Sequence, residues 1–173
     1  MRLFERSLRR AQIPVSMTKG FNPRPKLSFP LALQLGIEGL EEVLELELED
    51  WITPGYFSER LEKELPPGIE IRQPEVIALN SKSKISSIVY KVVPEQPNTF
   101  CNIDIDQLLG HNSITVERVN SVGKKTVDIR PSIMSVSKVE NSLVIHIKVT
   151  NNGTAKIREI LDAFGLKTKK HLI

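Results

Sequence analysis

The side chains with the clearest chemical purpose are crowded into the first 26 residues. Arg2, Arg6, Arg9 and Arg10, then Lys19, Arg24 and Lys26, stand against one acid, Glu5. Seven positive charges less one negative leave a local charge of +6 in a chain whose net charge is +3, so the remainder is net acidic. Basicity gathered in one place raises the local density of polyanions and speeds their association, whereas evenly spread charge mainly aids solubility. The loop that carries the last three cations, Lys19-Gly20-Phe21-Asn22-Pro23-Arg24-Pro25-Lys26, has its own logic. Gly20 permits a positive φ, and the two prolines bias Asn22 and Arg24 to extended conformations. Arg24 and Lys26 are then offered from a stiff backbone that loses little entropy on docking. Phe21 has two readings, stacking on a base or plugging the core. A lone aromatic between a helix and a strand is expected to be the plug. The plain alternative for the arginine stripe is a solvated helix face, with Glu5 pairing one or two of the four.

A second candidate site is Lys124-Lys125-Thr126-Val127-Asp128-Ile129-Arg130-Pro131. In an extended segment Asp128 and Arg130 share a side, where the carboxylate can orient the guanidinium toward a phosphate or a partner carboxylate. A structural pairing explains the same residues. Other chemistry is poorly represented. His111, His146 and His171 lack the spacing of a zinc site, and there is neither a Gly-rich lysine loop nor a Gly-x-Ser-x-Gly elbow. Cys101, the one cysteine, cannot form an internal disulfide and has no neighbour to activate it, so an inert thiol in a reducing cytoplasm is expected. No run of 18 apolar residues exists and the N-terminus lacks the apolar stretch of a secretion signal, so no membrane partner is expected.

These groups must be positioned by a chain of 173 residues, 40% apolar and 26% charged, enough for one sizeable core or two small ones. Phe4, Leu8 and Ala11 at i, i+4 and i+7 predict a helix over 1–12 with its arginines turned outward and Pro14 as the stop. Leu27, Phe29, Leu31, Leu33 and Leu35 alternate as a strand, although Pro30 removes a ladder donor. Leu44, Leu46 and Leu48 alternate with Glu45, Glu47 and Glu49, so 27–49 reads as a hairpin. Thr53-Pro54 opens a helix lined by Phe57, Leu61 and Leu65. Ile69, Ile71 and Val76-Ile77-Ala78 continue as a strand.

Residues 1–79 are thus a first half in the order αββαβ, residues 80–86 a linker, and 87–173 a second half. The second half holds a strand at 88–93, a short helix capped by Asp104, a strand from Ile114, a hairpin 133–149 turning at Glu140-Asn141, a helix from Thr154 to the cap Gly165, and a closing segment 166–173. The fold class expected is α+β, two ferredoxin-like βαββαβ sandwiches in tandem, the first lacking its opening strand. Residues 38–65 hold ten acids against Arg60 and Lys63. Glu45, Glu47 and Glu49 should project from the uncovered sheet face, where they would repel phosphates, so nucleic acid is expected at the arginine helix and its loop instead.

The run Arg2-Leu3-Phe4-Glu5-Arg6-Ser7-Leu8-Arg9-Arg10-Ala11, then Pro14-Val15, then Gly20-Phe21-Asn22-Pro23-Arg24-Pro25-Lys26-Leu27-Ser28-Phe29, resembles the signature of the radical SAM-linked family, a bacterial domain of unknown function. Gly36, the strand around Glu45, the Pro67-Gly68-Ile69 turn and Lys125–Pro131 resemble it too. The resemblance implies a protein encoded beside, or fused behind, a radical S-adenosylmethionine protein, often near genes for ribosomal proteins and a ribonuclease, with an accessory role in RNA modification. It also implies a strand with a Ser-His-Leu-Asp-type segment ahead of Met1. Its absence would leave an unpaired sheet edge. Thr18 stands where the family usually has Ser, which keeps a hydroxyl.

A radical enzyme needs three cysteines on an iron-sulfur cluster, so this chain is expected to hold no cofactor itself, the cluster and S-adenosylmethionine belonging to the partner. The leading expectation is a non-catalytic accessory that binds tRNA or ribosomal RNA through Arg2, Arg6, Arg9, Arg10, Lys19, Asn22, Arg24, Lys26, Lys124, Lys125 and Arg130, with Thr18 and Asp128 as orienting polar groups. The alternatives are a protein adaptor that docks the radical enzyme without RNA, and an RNA-modifying enzyme of pseudouridine-synthase-like architecture using Asp128. The Arg-Thr-Asp-type sequence of such synthases is absent.

Overall fold

The apolar spacing at the N-terminus builds α1 (Arg2–Arg10) in the computed structural model, which describes residues 1–78, 81, 83–94, 96, 99–100, 103–120, 123–150 and 154–166. Leu8 and Ala11 are buried, while Phe4 meets the Phe29 ring edge-on at 5.5 Å. The helix ends before Pro14 acts. Gln12 turns to φ 54°, its N–H donates to Arg9 O (3.1 Å) and the Ile13 N–H to Leu8 O (3.1 Å). That is a Schellman motif, with apolar contact between Ile13 and Leu8 closing it. Arg60 seals the same end, its Nε donating to Ala11 O at 3.1 Å and its Nη2 to Gln12 Oε1 at 3.2 Å.

The chain divides into two compact units, Met1–Ala32 with Glu42–Lys84, and Leu33–Glu41 with Ile85–Ile173. The first contains α1, β1 (Leu27–Ser28), β2 (Glu45–Leu46) and α2 (Pro54–Glu62). Thr53 caps α2 by accepting from the Tyr56 N–H at 3.2 Å, and Leu61 is its buried anchor. Leu8, Ala11, Ile13 and Leu61 form the core, with Val15, Leu27, Leu46, Leu48, Phe57, Leu65 and Ile71 packed around it. The long hairpin expected over 27–49 is reduced to two paired residues on each side, Leu27 with Leu46 and Ser28 with Glu45. Pro30 cannot extend the ladder, and from Leu33 the chain passes to the other unit. The strand expected over 69–78 does not form. Ile71 reaches the core, but Pro74 lacks a donor and Val76 and Ile77 are exposed.

The second unit holds β3 (Ser87–Val92), α3 (Ile105–Gly110), β4 (Thr115–Asn120), β5 (Gly123–Asp128), β6 (Ile133–Val139), β7 (Ser142–Lys148) and α4 (Ile157–Ala163). Its main sheet has the order β3-β7-β6, antiparallel throughout, and β4-β5 pair separately. The alternation of β7 sends Leu143, Ile145 and Ile147 inward, where they pack with Ile157, Ile160 and Leu161 of α4, all completely or almost completely buried. The hairpin turns at Glu140-Asn141, Glu140 adopting φ 54°. Gly165, at φ 70°, ends α4, with the Leu166 N–H reaching back to Leu161 O at 2.9 Å.

The helix begins later than its expected start at Thr154. Glu159 turns back to accept from the Lys156 N–H (2.9 Å), making Lys156 the N-cap, and Thr154 O is taken by Arg118 Nη2 (2.9 Å). Segment 167–173, with His171 and the closing strand expected there, lies outside the described residues, as do Cys101 and parts of the expected linker. Among the described residues four α-helices and three small antiparallel sheets make the fold α+β. Among the described residues no helix is long and apolar enough to cross a membrane.

The polar fastening of the second unit is Arg118 on β4 with Glu159 on α4, two N–H to O contacts of 2.7 Å each between side chains 23% and 15% exposed. Burial alone would raise the Glu159 pKa, but hydrogen bonds from the Arg118 guanidinium and the Lys156 N–H hold it below its ordinary value. Folded Glu159 therefore binds its proton less firmly than the unfolded residue does. Its stabilisation is complete above the unfolded value of about 4.3 and is lost as the pH falls through the lower, folded value. Thermal melts between neutral pH and acid should show a fall in stability below about pH 4.3 that is shallower in Glu159→Gln. The variant should also be less stable at neutral pH by about 1–3 kcal/mol. An identical pH profile in the variant would remove Glu159 as the cause.

Candidate nucleic-acid interface

The interface starts from a backbone junction in the first unit. After the Schellman turn, residues 14–18 run extended between two neighbours. The Ser16 N–H donates to Glu47 O (2.7 Å), the Lys26 N–H to Ser16 O (2.7 Å) and the Glu47 N–H to Lys26 O (3.0 Å). Val15 bridges Leu48 and Met17 bridges Pro25, both antiparallel. Three segments are thereby held edge to edge beside α1, and Ser16 is buried among them. The period-two alternation of Ile13, Val15 and Met17 is the signal for this extension. Pro14 is therefore both the helix stop and the first residue of an extended segment.

The loop rises from that junction and is stapled at its root. The Thr18 N–H donates to Arg24 O (2.8 Å), and the Arg24 N–H returns to Thr18 Oγ1 (3.0 Å). Residues 19–23 are left as a five-residue tip, with Gly20 at φ 159°. Phe21 is not the core plug expected of it. At 104% relative exposure it stands wholly in solvent, because the core below is already closed by Leu8, Ala11, Ile13 and Leu61 and the staple lifts the tip clear. Lys19, Asn22 and Arg24 are exposed around it.

Arg2, Arg6 and Arg9 follow one another on a single face of α1 and line a groove of about 600 Å³ whose apolar side includes Ile13, Val15, Met17 and Pro25. Glu5 is the acid in this groove. Among the described residues, Arg2, Arg6, Arg9, Lys19 and Arg24 make no ion pair. Arg10 and Lys26 differ. Arg10 Nε lies 2.7 Å from Glu64 Oε2, and its Nη2 donates to Glu64 O and Ser7 Oγ. Lys26 Nζ lies 2.7 Å from Glu47 Oε1. The acidic strand is thus partly neutralised within its own unit: Glu47 by Lys26, while Glu45 accepts from the Ser28 hydroxyl and the Ser83 N–H.

The residues of the second candidate site are put to other uses. Asp128 Oδ1 accepts from the Ile114 N–H (2.9 Å) and the Arg130 N–H (3.0 Å), and these bonds hold its carboxyl below the usual range. Its contact is therefore with the backbone of Arg130. The Arg130 guanidinium turns instead to carbonyls, donating from Nε and Nη2 to Leu109 O (3.1 and 2.8 Å) and from Nη1 to Ile133 O (3.1 Å). Leu109 is in the last turn of α3, so Arg130 caps a helix C-terminus that favours a cation. Lys124 and Lys125 are exposed on β5, Lys124 with Glu117 3.5 Å away. Among the described residues no group of His, Cys, Asp or Glu could hold a metal ion.

The staple has a measurable consequence. Thr18→Val keeps the shape but removes the acceptor for the Arg24 N–H, so hydrogen exchange at that amide should speed up while global stability falls by only about 0.5–1.5 kcal/mol. Unchanged exchange would mean that the loop is held in some other way.

No curated protein and no solved structure matches this chain. A family model does, over residues 1–159, which takes in the arginine helix, the stapled loop and almost all of the second unit's described elements. The chain belongs to that bacterial family, described as "Uncharacterized protein conserved in bacteria (DUF2344)".

Proposed function

We propose that this chain is a non-catalytic RNA-binding accessory that presents a structured RNA, tRNA or ribosomal RNA, to a radical SAM protein in the cytoplasm. The observation that carries the RNA reading is the row of three guanidinium groups in one groove that make no ion pair among the described residues. From Arg2 to Arg9 the helix rises about 10 Å, the axial span of about three nucleotides of a strand. Arginine's planar fork suits phosphate oxygens, and the apolar side of the groove gives the sugar surface a dry neighbour. The radical SAM partner, with its cluster and S-adenosylmethionine, is drawn from the sequence resemblance. A non-catalytic role is favoured over a synthase-like one because Asp128, stabilised in its ionised form by two backbone N–H groups, is a weak base.

The proposed architecture is ferredoxin-like at least in the second unit. There β3, α3, β6, β7 and α4 follow in the order of a split βαβ motif, with β7 between β3 and β6 and the β4-β5 hairpin as an insertion. The first unit, whose strands among the described residues are β1 and β2 with the bridges at Val15 and Met17 beside them, would be a reduced version of the same plan.

Titration of a structured RNA at salt concentrations from about 50 to 200 mM should give a steep linear loss of log affinity with log salt. The triple variant Arg2→Ala, Arg6→Ala, Arg9→Ala should bind more weakly, with the slope reduced by about three, one for each phosphate contact. Arg10→Ala, whose charge already faces Glu64, should change the slope much less. Equal slopes in the triple variant and the parent would sink the groove reading, and co-purification with the radical enzyme free of nucleic acid would favour the adaptor.

A further inference from the structure

We infer that Phe21 is a base-stacking residue, so that the RNA recognised carries an unpaired nucleotide beside the stretch whose phosphates lie against Arg2, Arg6 and Arg9. The inference rests on the RNA-binding reading of the groove and narrows it to RNA with an unstacked base. Exposure of one aromatic is ordinary on its own. Here three further features converge on it. The tip is held by the Thr18–Arg24 staple and stiffened by Pro23, so the ring is presented from an ordered root. Lys19 and Arg24 flank it with cations free of ion pairs among the described residues. The bridge between Met17 and Pro25, at the base of the loop, forms part of the groove that the arginines line.

Geometry links these parts. Phe21 is three residues beyond Thr18, so the ring's backbone lies within about 10 Å of the loop root, within reach of a nucleotide adjoining the groove. A ring between two cations, next to a row of guanidinium groups, matches the alternation of base and phosphate along a single strand. An apolar pocket on a protein partner would take the ring equally well but gives no use for Lys19 and Arg24, and so charge complementarity selects the nucleotide. A base inside a duplex is stacked on both faces already. The ring can therefore serve only a loop, bulge or single-stranded end.

The test compares the full chain binding two probes, a single-stranded RNA of about 16 nucleotides and a duplex of the same length. Phe21→Leu should weaken single-strand binding by about five-fold or more, with little change for the duplex and no change in salt slope. Phe21→Trp should retain the affinity, and in a Trp51→Phe background its fluorescence should be quenched by the single strand. Arg6→Ala should weaken both probes and lower the slope. If Phe21→Leu binds the single strand as the parent does while Arg6→Ala does not, the stacking role is wrong and the groove stands. If Arg6→Ala also leaves binding and slope untouched, the RNA reading itself fails.

Discussion

The Ser16, Lys26 and Glu47 backbones interlock through three hydrogen bonds, and the basic half of this molecule depends on that junction. Each residue belongs to a different segment: the extension after α1, the strand leaving the loop, and the acidic strand. None of the three is long enough to be stable as a hairpin alone. Joined in pairs, they satisfy one another's backbone groups close to the core of Leu8, Ala11, Ile13 and Leu61. The direction of α1, the side of the groove and the root of the loop are all set from this point. The cations are therefore held on packed backbone.

Electrostatics divides those cations into two kinds. Arg10 and Lys26 face carboxylates across the fold and hold segments together, Arg10 joining α1 to the chain beyond α2 and Lys26 joining the two short strands. Arg60 and Arg130 spend their donors on carbonyls at helix C-termini, where the helix dipole welcomes positive charge. Among the described residues Arg2, Arg6 and Arg9 have no such employment, and their repulsion along one face is a standing cost of having them adjacent. Exposed pairs such as Lys124 with Glu117 contribute little either way, being largely solvated and readily screened.

Local signals were legible where one short-range rule decides the outcome. The helix over Arg2–Arg10 followed from Phe4, Leu8 and Ala11, the cap of α2 from Thr53-Pro54, the turn at Glu140-Asn141 from the alternation on either side, and the end of α4 from Gly165. The failures share a cause of longer range. Residues 29–35 alternate like a strand but join no ladder among the described residues, because the chain leaves the unit at Leu33. Val76-Ile77 is apolar yet exposed, and β5 formed because β4 lay beside it. For the site, the cationic face was visible in residue types, but the division between cations that are ion-paired and cations that are not was hidden. It turns on Glu64 and Glu47, 54 and 21 residues distant from Arg10 and Lys26. Phe21 misled for a related reason: whether an aromatic is needed inside depends on how full the core already is.

Segment 33–41 leaves the first unit for the second and then returns. Within the second unit Ile37 packs against the core, Gln34 Nε2 reaches the Tyr90 hydroxyl at 3.4 Å, and Leu35 O accepts from Arg158 Nη2 at 3.3 Å. The polypeptide crosses the boundary three times, near residues 32, 41 and 84, so no single scission separates the units. A fragment ending at Lys84 would carry off a strip of its neighbour's interior, and one beginning at Ile85 would be born with a hole where Ile37 belongs. Recombination in evolution, and truncation at the bench, must treat the two interleaved units as an indivisible cassette.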